Sequence, residues 1–164
     1  MLARVVGVFK LDKNTFEEIE HNTSLTLYAA IIVALVALVS GVGTAFYRLI
    51  FSGNVLSGFF GSVFSTLIGW VVWSVVTWFI GTRLFNGQAS IDEMLRVIGF
   101  AQLPLLLSII PCLGSVVGGI WALIAGFIAI RQGLDLDNTK TFLTVVIGFV
   151  GWVVVVGIFS LLIH

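Results

Sequence analysis

The sequence predicts an all-α polytopic membrane protein, a bundle of five transmembrane helices with a short amphipathic N-terminal segment. Hydrophobic residues make up 59% of the chain and charged residues only 10%, whereas a soluble domain carries about 25% charged residues. A chain of 164 residues exposes too much surface to hide such a composition in a core. The apolar residues also fall into five runs, each close to the roughly 20 residues that cross a bilayer.

The first 24 residues are expected to form a cytoplasmic amphipathic segment, and residues 25–164 the transmembrane domain. Apolar side chains recur at helical spacing near the start, at Leu2, Val5, Val6 and Phe9. This spacing favours a helix lying on an anionic membrane surface. Residues 15–18, TFEE, are typical of a capping box and predict a second short helix to about Asn22. Two surface helices without a partner are the leading interpretation, and a docking arm is the alternative.

The five apolar runs are expected to cross the membrane in sequence. They cover residues 25–47, 57–82, 91–110, 113–130 and 141–163. The third run opens with Ser90 and Glu93 in the S-x-x-E pattern of a capping box. It contains Pro104, whose missing N–H predicts a kink, and Pro111 is expected to end it.

The basic residues predict the orientation of the chain. If the N-terminus is inside, seven of the eight Lys and Arg residues lie in inner segments, and only Arg48 lies outside. This bias predicts a cytoplasmic N-terminus and an outer C-terminus in the cell inner (plasma) membrane. A third run that re-entered instead of crossing would place Arg131 and Lys140 outside, so the charges favour five spans.

Rows of small residues predict how the spans pack. In the fourth span the row is Gly114, Gly118, Ala122 and Gly126. Lipid supplies no hydrophobic drive between helices, so close backbone approach at such rows is the expected source of attraction. Packing within one bundle is the leading interpretation, and self-dimerisation is the alternative.

The polar start of the third run holds the main candidate site residues. Asp92 and Glu93 precede Arg96 by four and three residues, the favourable order for ion pairs on a helix. Arg96 is expected to snorkel back to the inner surface. Gln102 falls near mid-bilayer, where its amide is expected to bond to another span, with a ligand contact as the alternative. The candidate structural or partner-contact residues are Arg83, Asp92, Glu93, Arg96, Gln102, Pro104, Arg131 and Asp135.

Several function classes find no support in the sequence. No span has an ionisable residue near its centre, which argues against a pump or secondary transporter. No nucleophile–base pair or metal-ligand motif is evident, so we expect no enzyme, no metal and no cofactor. The net charge is zero, so no nucleic-acid partner is expected.

Four segments together resemble prokaryotic members of the Yip-domain family. They are FEEIE at 16–20, GTRL at 81–84, LRVIGFAQLP at 95–104 and AIRQGLDL at 129–136. The resemblance implies a five-span membrane protein with a cytoplasmic N-terminus. Eukaryotic relatives bind Rab-type GTPases and act in vesicle traffic, but their D-L-Y-G-P signature is absent here, so GTPase binding is not carried over.

The function expected from these observations is a non-catalytic integral membrane scaffold or accessory subunit. Its partners would be the lipid bilayer and a membrane-protein partner or larger complex, docked through residues 1–22, 83–96 and 131–140. A transporter or channel subunit is one alternative, with a path near Gln102 and Pro104. A membrane-shaping or lipid-binding protein that acts through its N-terminal helix is the other.

Overall fold

The computed structural model describes residues 1–51, 53–110 and 113–163, without the side chains of Trp152 and residues 154–163. Helices dominate these residues, and no strand occurs among them. The α-helices are α1 (Leu2–Phe9), α2 (Lys13–His21), α3 (Thr26–Phe51), α4 (Val55–Phe85), α5 (Ile91–Ala101), α6 (Leu113–Gly133) and α7 (Asn138–Ile163). A short 3₁₀ turn, Thr23–Leu25, precedes α3, and a longer one, the 3₁₀ segment Leu103–Ile109, follows α5.

Three helical stretches of the described chain are long and apolar enough to cross a membrane. They are Thr23–Phe51 with 29 residues, Val55–Phe85 with 31 and Leu113–Gly133 with 21. These stretches match the first, second and fourth predicted spans. Helix α7 has 26 residues, about 39 Å at the usual rise, and its membrane crossing remains a prediction.

The third predicted span is not one continuous α-helix. Helix α5 has only 11 residues and ends at Ala101, and the chain continues as the seven-residue 3₁₀ segment. Pro104 lies at the start of that segment, where its missing N–H leaves no gap in an α-helical ladder. The kink expected from Pro104 is therefore a change of helix type. Pro111 lies outside the described residues.

Close contacts at glycines give the directions of the helices around α5. A Cβ on Gly99 would come within 2.9 Å of Ala29, and Arg96, one turn earlier, bonds to Thr26. From the first contact to the second, the residue number rises in both helices, so α3 and α5 run parallel. Val97 lies against Gly133 and the Pro104 carbonyl against Gly118, so α5 and the 3₁₀ segment run antiparallel to α6.

Helices α1 and α2 form an N-terminal hairpin that packs into the bundle. Val8, Phe16 and Ile19 are fully buried and belong to the same core as residues of α5 and α6. The Trp121 indole N–H of α6 donates a 2.9 Å bond to the Phe9 carbonyl at the end of α1. Two surface helices without a partner were expected, but one face of this hairpin packs against the rest of the chain. Contact of the hairpin with a membrane surface stays a prediction.

Two capping predictions have different outcomes. Ser90 and Glu93 form the expected capping box at the start of α5, with each side chain bonded to the other residue's backbone N–H. Helix α2, in contrast, is capped by Asp12, whose carboxylate accepts from the Asn14 N–H. The prediction at residues 15–18 is wrong because Asp12 offers an equivalent oxygen three residues earlier.

The turn after α6 is fastened to the end of α4. The Gln88 N–H donates to the Leu134 carbonyl at 3.1 Å, and the Leu134 side chain fills the space over Gly81, where a Cβ would come within 2.4 Å. Three arginines lie close in sequence to this junction: Arg83 in the last turn of α4, Arg96 in α5 and Arg131 in the last turn of α6. We call the end of the bundle that holds this junction the basic end.

Candidate functional site: a buried arginine and a membrane groove

Arg96 is the largest fully buried side chain of the described core, with 1% of its surface exposed. Its Nη2 donates a 2.6 Å hydrogen bond to the Glu20 carbonyl of α2. Its Nη1 donates to the Thr26 hydroxyl at 3.1 Å and to the Asp92 carboxylate. One guanidinium therefore joins α2, the start of α3 and α5, and its planar fork suits several acceptors at once.

The ion pair between Arg96 and Asp92 occurs as the four-residue spacing predicts. The expected snorkelling of Arg96 does not occur, because α2 and α3 cover the guanidinium and supply its acceptors. Glu93 does not pair with Arg96, since its carboxylate caps the helix at the Ser90 N–H. The Nε atom of Arg96 is buried without a hydrogen-bond partner among the described residues.

Glu20 carries the most perturbed carboxyl group outside the spans. The residue is 5% exposed, and burial raises its pKa to about 7, with the negative charge of Asp135 adding to the effect. The charge of His21 opposes the rise, and Glu93 and Glu17 favour it. A carboxyl group with this pKa changes its charge near neutral pH.

The other basic-end candidates form no hydrogen bond with Arg96 among the described residues. Arg83 is exposed at the end of α4 and has no hydrogen bond or ion pair among the described residues. Arg131 is half-buried, and its Nε likewise lacks a described partner. Asp135 is exposed in a left-handed backbone conformation with φ of 52°. Arg83 and Asp135 are therefore the two of these charged side chains that are exposed to a ligand or a partner.

A groove of about 550 Å³ lies between α4, α5, α6 and α7, within the predicted depth of the membrane. Trp70 and Trp73 form part of one wall, and Gln102 lies where α5 gives way to the 3₁₀ segment. Most of the lining is apolar, and no Asp, Glu, Lys or Arg belongs to it among the residues that the structure describes. The groove therefore offers a weakly polar site in a region where lipid is the solvent.

The small-residue row of α6 has two different environments. Gly114 and Gly118 lie against the carbonyls of Leu107 and Pro104 in the 3₁₀ segment, where a Cβ would come within 1.9 Å and 2.5 Å. Ala122 and Gly126 line the groove instead, and a Cβ at Gly126 would meet nothing within 4 Å. The first pair permits close packing, and the second pair leaves space.

Gln102 does not bond across to another span within the described part of the chain. Its side-chain amide is half-buried on the groove wall and has no hydrogen-bond partner among the described residues. The interhelical bond expected from the sequence is thus absent there. The amide is a polar group facing an apolar space.

Two acceptors of the Arg96 guanidinium were not predicted from the sequence. The Glu20 carbonyl binds Arg96, but a backbone acceptor has no signature in the sequence. The Thr26 hydroxyl was also missed, although a threonine just inside the start of a span was a usable signal. The groove was not predicted either, because it depends on the spacing between α4, α5 and α6, which no local pattern encodes.

Comparison with known proteins agrees with the motifs noted in the sequence. A search of curated proteins and a search of solved structures each returned no match to the chain. A family model, the Yip1 domain, matches residues 6–162. That range includes the N-terminal hairpin, the Arg96 network and the groove. Because the match covers nearly the whole chain, this protein belongs to the Yip1-domain family.

Proposed function

We propose that this protein is a non-catalytic integral membrane scaffold, an accessory subunit that docks a protein partner or larger membrane complex at its basic end. The proposal rests on one contrast at the basic end. Helices there are held together by hydrogen bonds, whereas a charged side chain beside them has no described partner. Arg96 ties α2, α3 and α5 together, while Arg83 has no described partner. A preorganised surface loses little entropy when a partner binds.

The contacts of Leu134 support the same proposal. Its carbonyl and side chain hold the turn after α6 against α4, so Arg83 and Asp135 project from joined elements. Both are exposed. Opposite charges held on a rigid surface favour a partner with a complementary pattern and set its orientation more than its affinity.

The proposal is tested by affinity capture from native membranes after mild detergent extraction. We expect one protein to co-purify in a fixed ratio with the wild type and to be lost with the Arg83→Glu variant. The Arg48→Glu variant is the control, because it reverses the charge of an arginine in the last turn of α3, outside the residues expected to dock a partner. Recovery of only the lone monomer from native membranes would count against docking.

A transporter or channel subunit is the second candidate, and the groove beside Gln102 is the observation in its favour. This function needs a water-accessible path. Cysteines introduced one at a time over residues 99–108 would react with a water-soluble maleimide along such a path. Uniform protection of these positions would exclude it.

A further inference from the structure

The groove between α4, α5, α6 and α7 has the size and lining of a small-molecule site. Its volume of about 550 Å³ lies within the range of about 300–1,000 Å³ typical of ligand pockets. On α6 the lining runs from Gly119 to Ile130, about 16 Å of helix. The shape suits an elongated apolar molecule lying along α6.

Three polar groups on the groove wall lack a hydrogen-bond partner in the described part of the chain. They are the Gln102 amide, the Ser65 hydroxyl and the Trp73 indole N–H. Other polar groups on this wall are satisfied, since Trp70 donates to the Leu95 carbonyl and Thr66 to the Ser62 carbonyl. An amide left unpaired in an apolar medium is unfavourable, so a ligand oxygen that accepts its hydrogen bond would be stabilising here.

Two properties of the groove limit the class of ligand that it can bind: its depth in the membrane and the lack of charged side chains in its described lining. Gln102 follows the 11 residues of α5, about 16 Å beyond the helix start, so the predicted third span places it at the depth of the lipid chains. No described charged side chain lines the groove, which disfavours an ionised ligand. We propose that the groove binds the chain of one neutral, single-chain membrane lipid, whose hydroxyl or carbonyl oxygen is hydrogen-bonded by the Gln102 amide.

This site is separate from the docking surface of the basic end. Arg83 and Asp135 are not part of the groove lining, so a variant that fills the groove leaves those charges in place. Lipid binding and partner docking can therefore fail independently, and each has its own experiment.

The test uses the full-length protein in lipid nanodiscs with hexadecanol that carries a diazirine in its chain. We expect photolabelling of peptides from α4 and α6 that saturates and is competed by unlabelled hexadecanol. Gly126→Phe should abolish the saturable labelling, because its ring enters the open groove. Gly61→Phe is the matched control, since Gly61 also has nothing within 4 Å and lies outside the groove lining.

A second variant tests the polar contact. Gln102→Leu should weaken hexadecanol binding about three- to tenfold, the range expected for one lost hydrogen bond. Hexadecanoate at pH 8 should compete poorly because the groove offers no cation. If Gly126→Phe is poorly folded by size exclusion, Gly119→Phe replaces it, as Gly119 also lines open space.

Four outcomes would overturn the proposal. They are labelling that never saturates, equal labelling of Gly126→Phe and Gly61→Phe, competition by hexadecanoate as strong as by hexadecanol, and Gln102→Leu binding equal to wild type. Protection of the same peptides by a second copy of the chain, seen as cross-linked dimers without lipid labelling, would assign the groove to self-association instead.

Discussion

The guanidinium of Arg96 and the backbone carbonyl of Glu20 lie 2.6 Å apart, although 76 residues separate them in the chain. The bond joins α5 to the N-terminal hairpin in the core of the bundle. A buried hydrogen bond from a charged donor is among the stronger contacts of a fold. It makes the N-terminal hairpin part of the domain.

Replacing Arg96 should destabilise the fold more than replacing any exposed arginine. Arg96→Met leaves the Glu20 carbonyl and the Thr26 hydroxyl without their charged donor, which costs about 2–3 kcal/mol. Equilibrium unfolding in mixed micelles measures the change. Arg83→Met is the matched control, because Arg83 is exposed, and its effect should stay within about 0.5 kcal/mol. Equal effects of the two substitutions would show that the Arg96 network does not stabilise the fold.

Glu20→Gln should stabilise the protein at alkaline pH and leave its stability unchanged at acidic pH. Because the folded-state pKa is about 7, above the ordinary value of 4.5 for this carboxyl group, the folded state holds the proton more tightly. The wild type therefore loses stability as the pH rises from about 4.5 through 7.

After allowance for solvent screening, the Glu20→Gln difference at pH 8 should be about 1–2 kcal/mol. Thermal unfolding between pH 5 and pH 8 checks it. Glu17→Gln, on the exposed side of the same helix, is the control, and its effect should be much smaller because Glu17 makes the smallest contribution to the raised pKa of Glu20. A Glu20→Gln protein that is no more stable at pH 8 would contradict the burial of a charged carboxylate.

Adjacent glycines in α6 provide a paired test of the contact with the 3₁₀ segment. Gly118→Ala places a Cβ within 2.5 Å of the Pro104 carbonyl, and such overpacking costs about 1–3 kcal/mol. Gly119→Ala has nothing within 4 Å, so it should be neutral or stabilising by up to about 1 kcal/mol through helix propensity. Unfolding in mixed micelles distinguishes them, and a destabilised Gly119→Ala would show that the two environments are not distinct.

The third segment should cross the membrane despite its break. In a Cys112→Ser background, Ile110→Cys and Gly53→Cys should react with an impermeant maleimide added outside intact cells. Gly87→Cys and Asp137→Cys should react only after permeabilisation. Labelling of Ile110→Cys only from the inside would make α5 and the 3₁₀ segment a re-entrant hairpin and would leave an even number of spans.

Local sequence signals predict the helices well because the forces that start and stop helices are local. The Ser90–Glu93 capping box and the Asp92–Arg96 pair both follow from spacing along one helix. Pro104 marks the place where the α-helix stops, although not the 3₁₀ segment that replaces it. These features need no knowledge of neighbouring elements.

Contacts between distant elements could not be predicted in the same way. The apolar face of α1 has the same sequence pattern whether lipid or protein covers it, so the burial of Val8 was not predicted. The sequence predicts a hydrogen bond from the Gln102 amide to another helix, but Gln102 lines the groove. Its contacts depend on the spacing between helices, which the local sequence does not determine.

The Arg96 contacts have a consequence for the order in which the chain is made. Every described acceptor of its guanidinium, in Glu20, Thr26 and Asp92, precedes Arg96 in the sequence. When the ribosome extends the chain past Arg96, all of its partners have already been synthesised. The guanidinium therefore never has to wait for a later part of the chain to supply an acceptor, so α2, α3 and α5 can be joined before α6 and α7 are made.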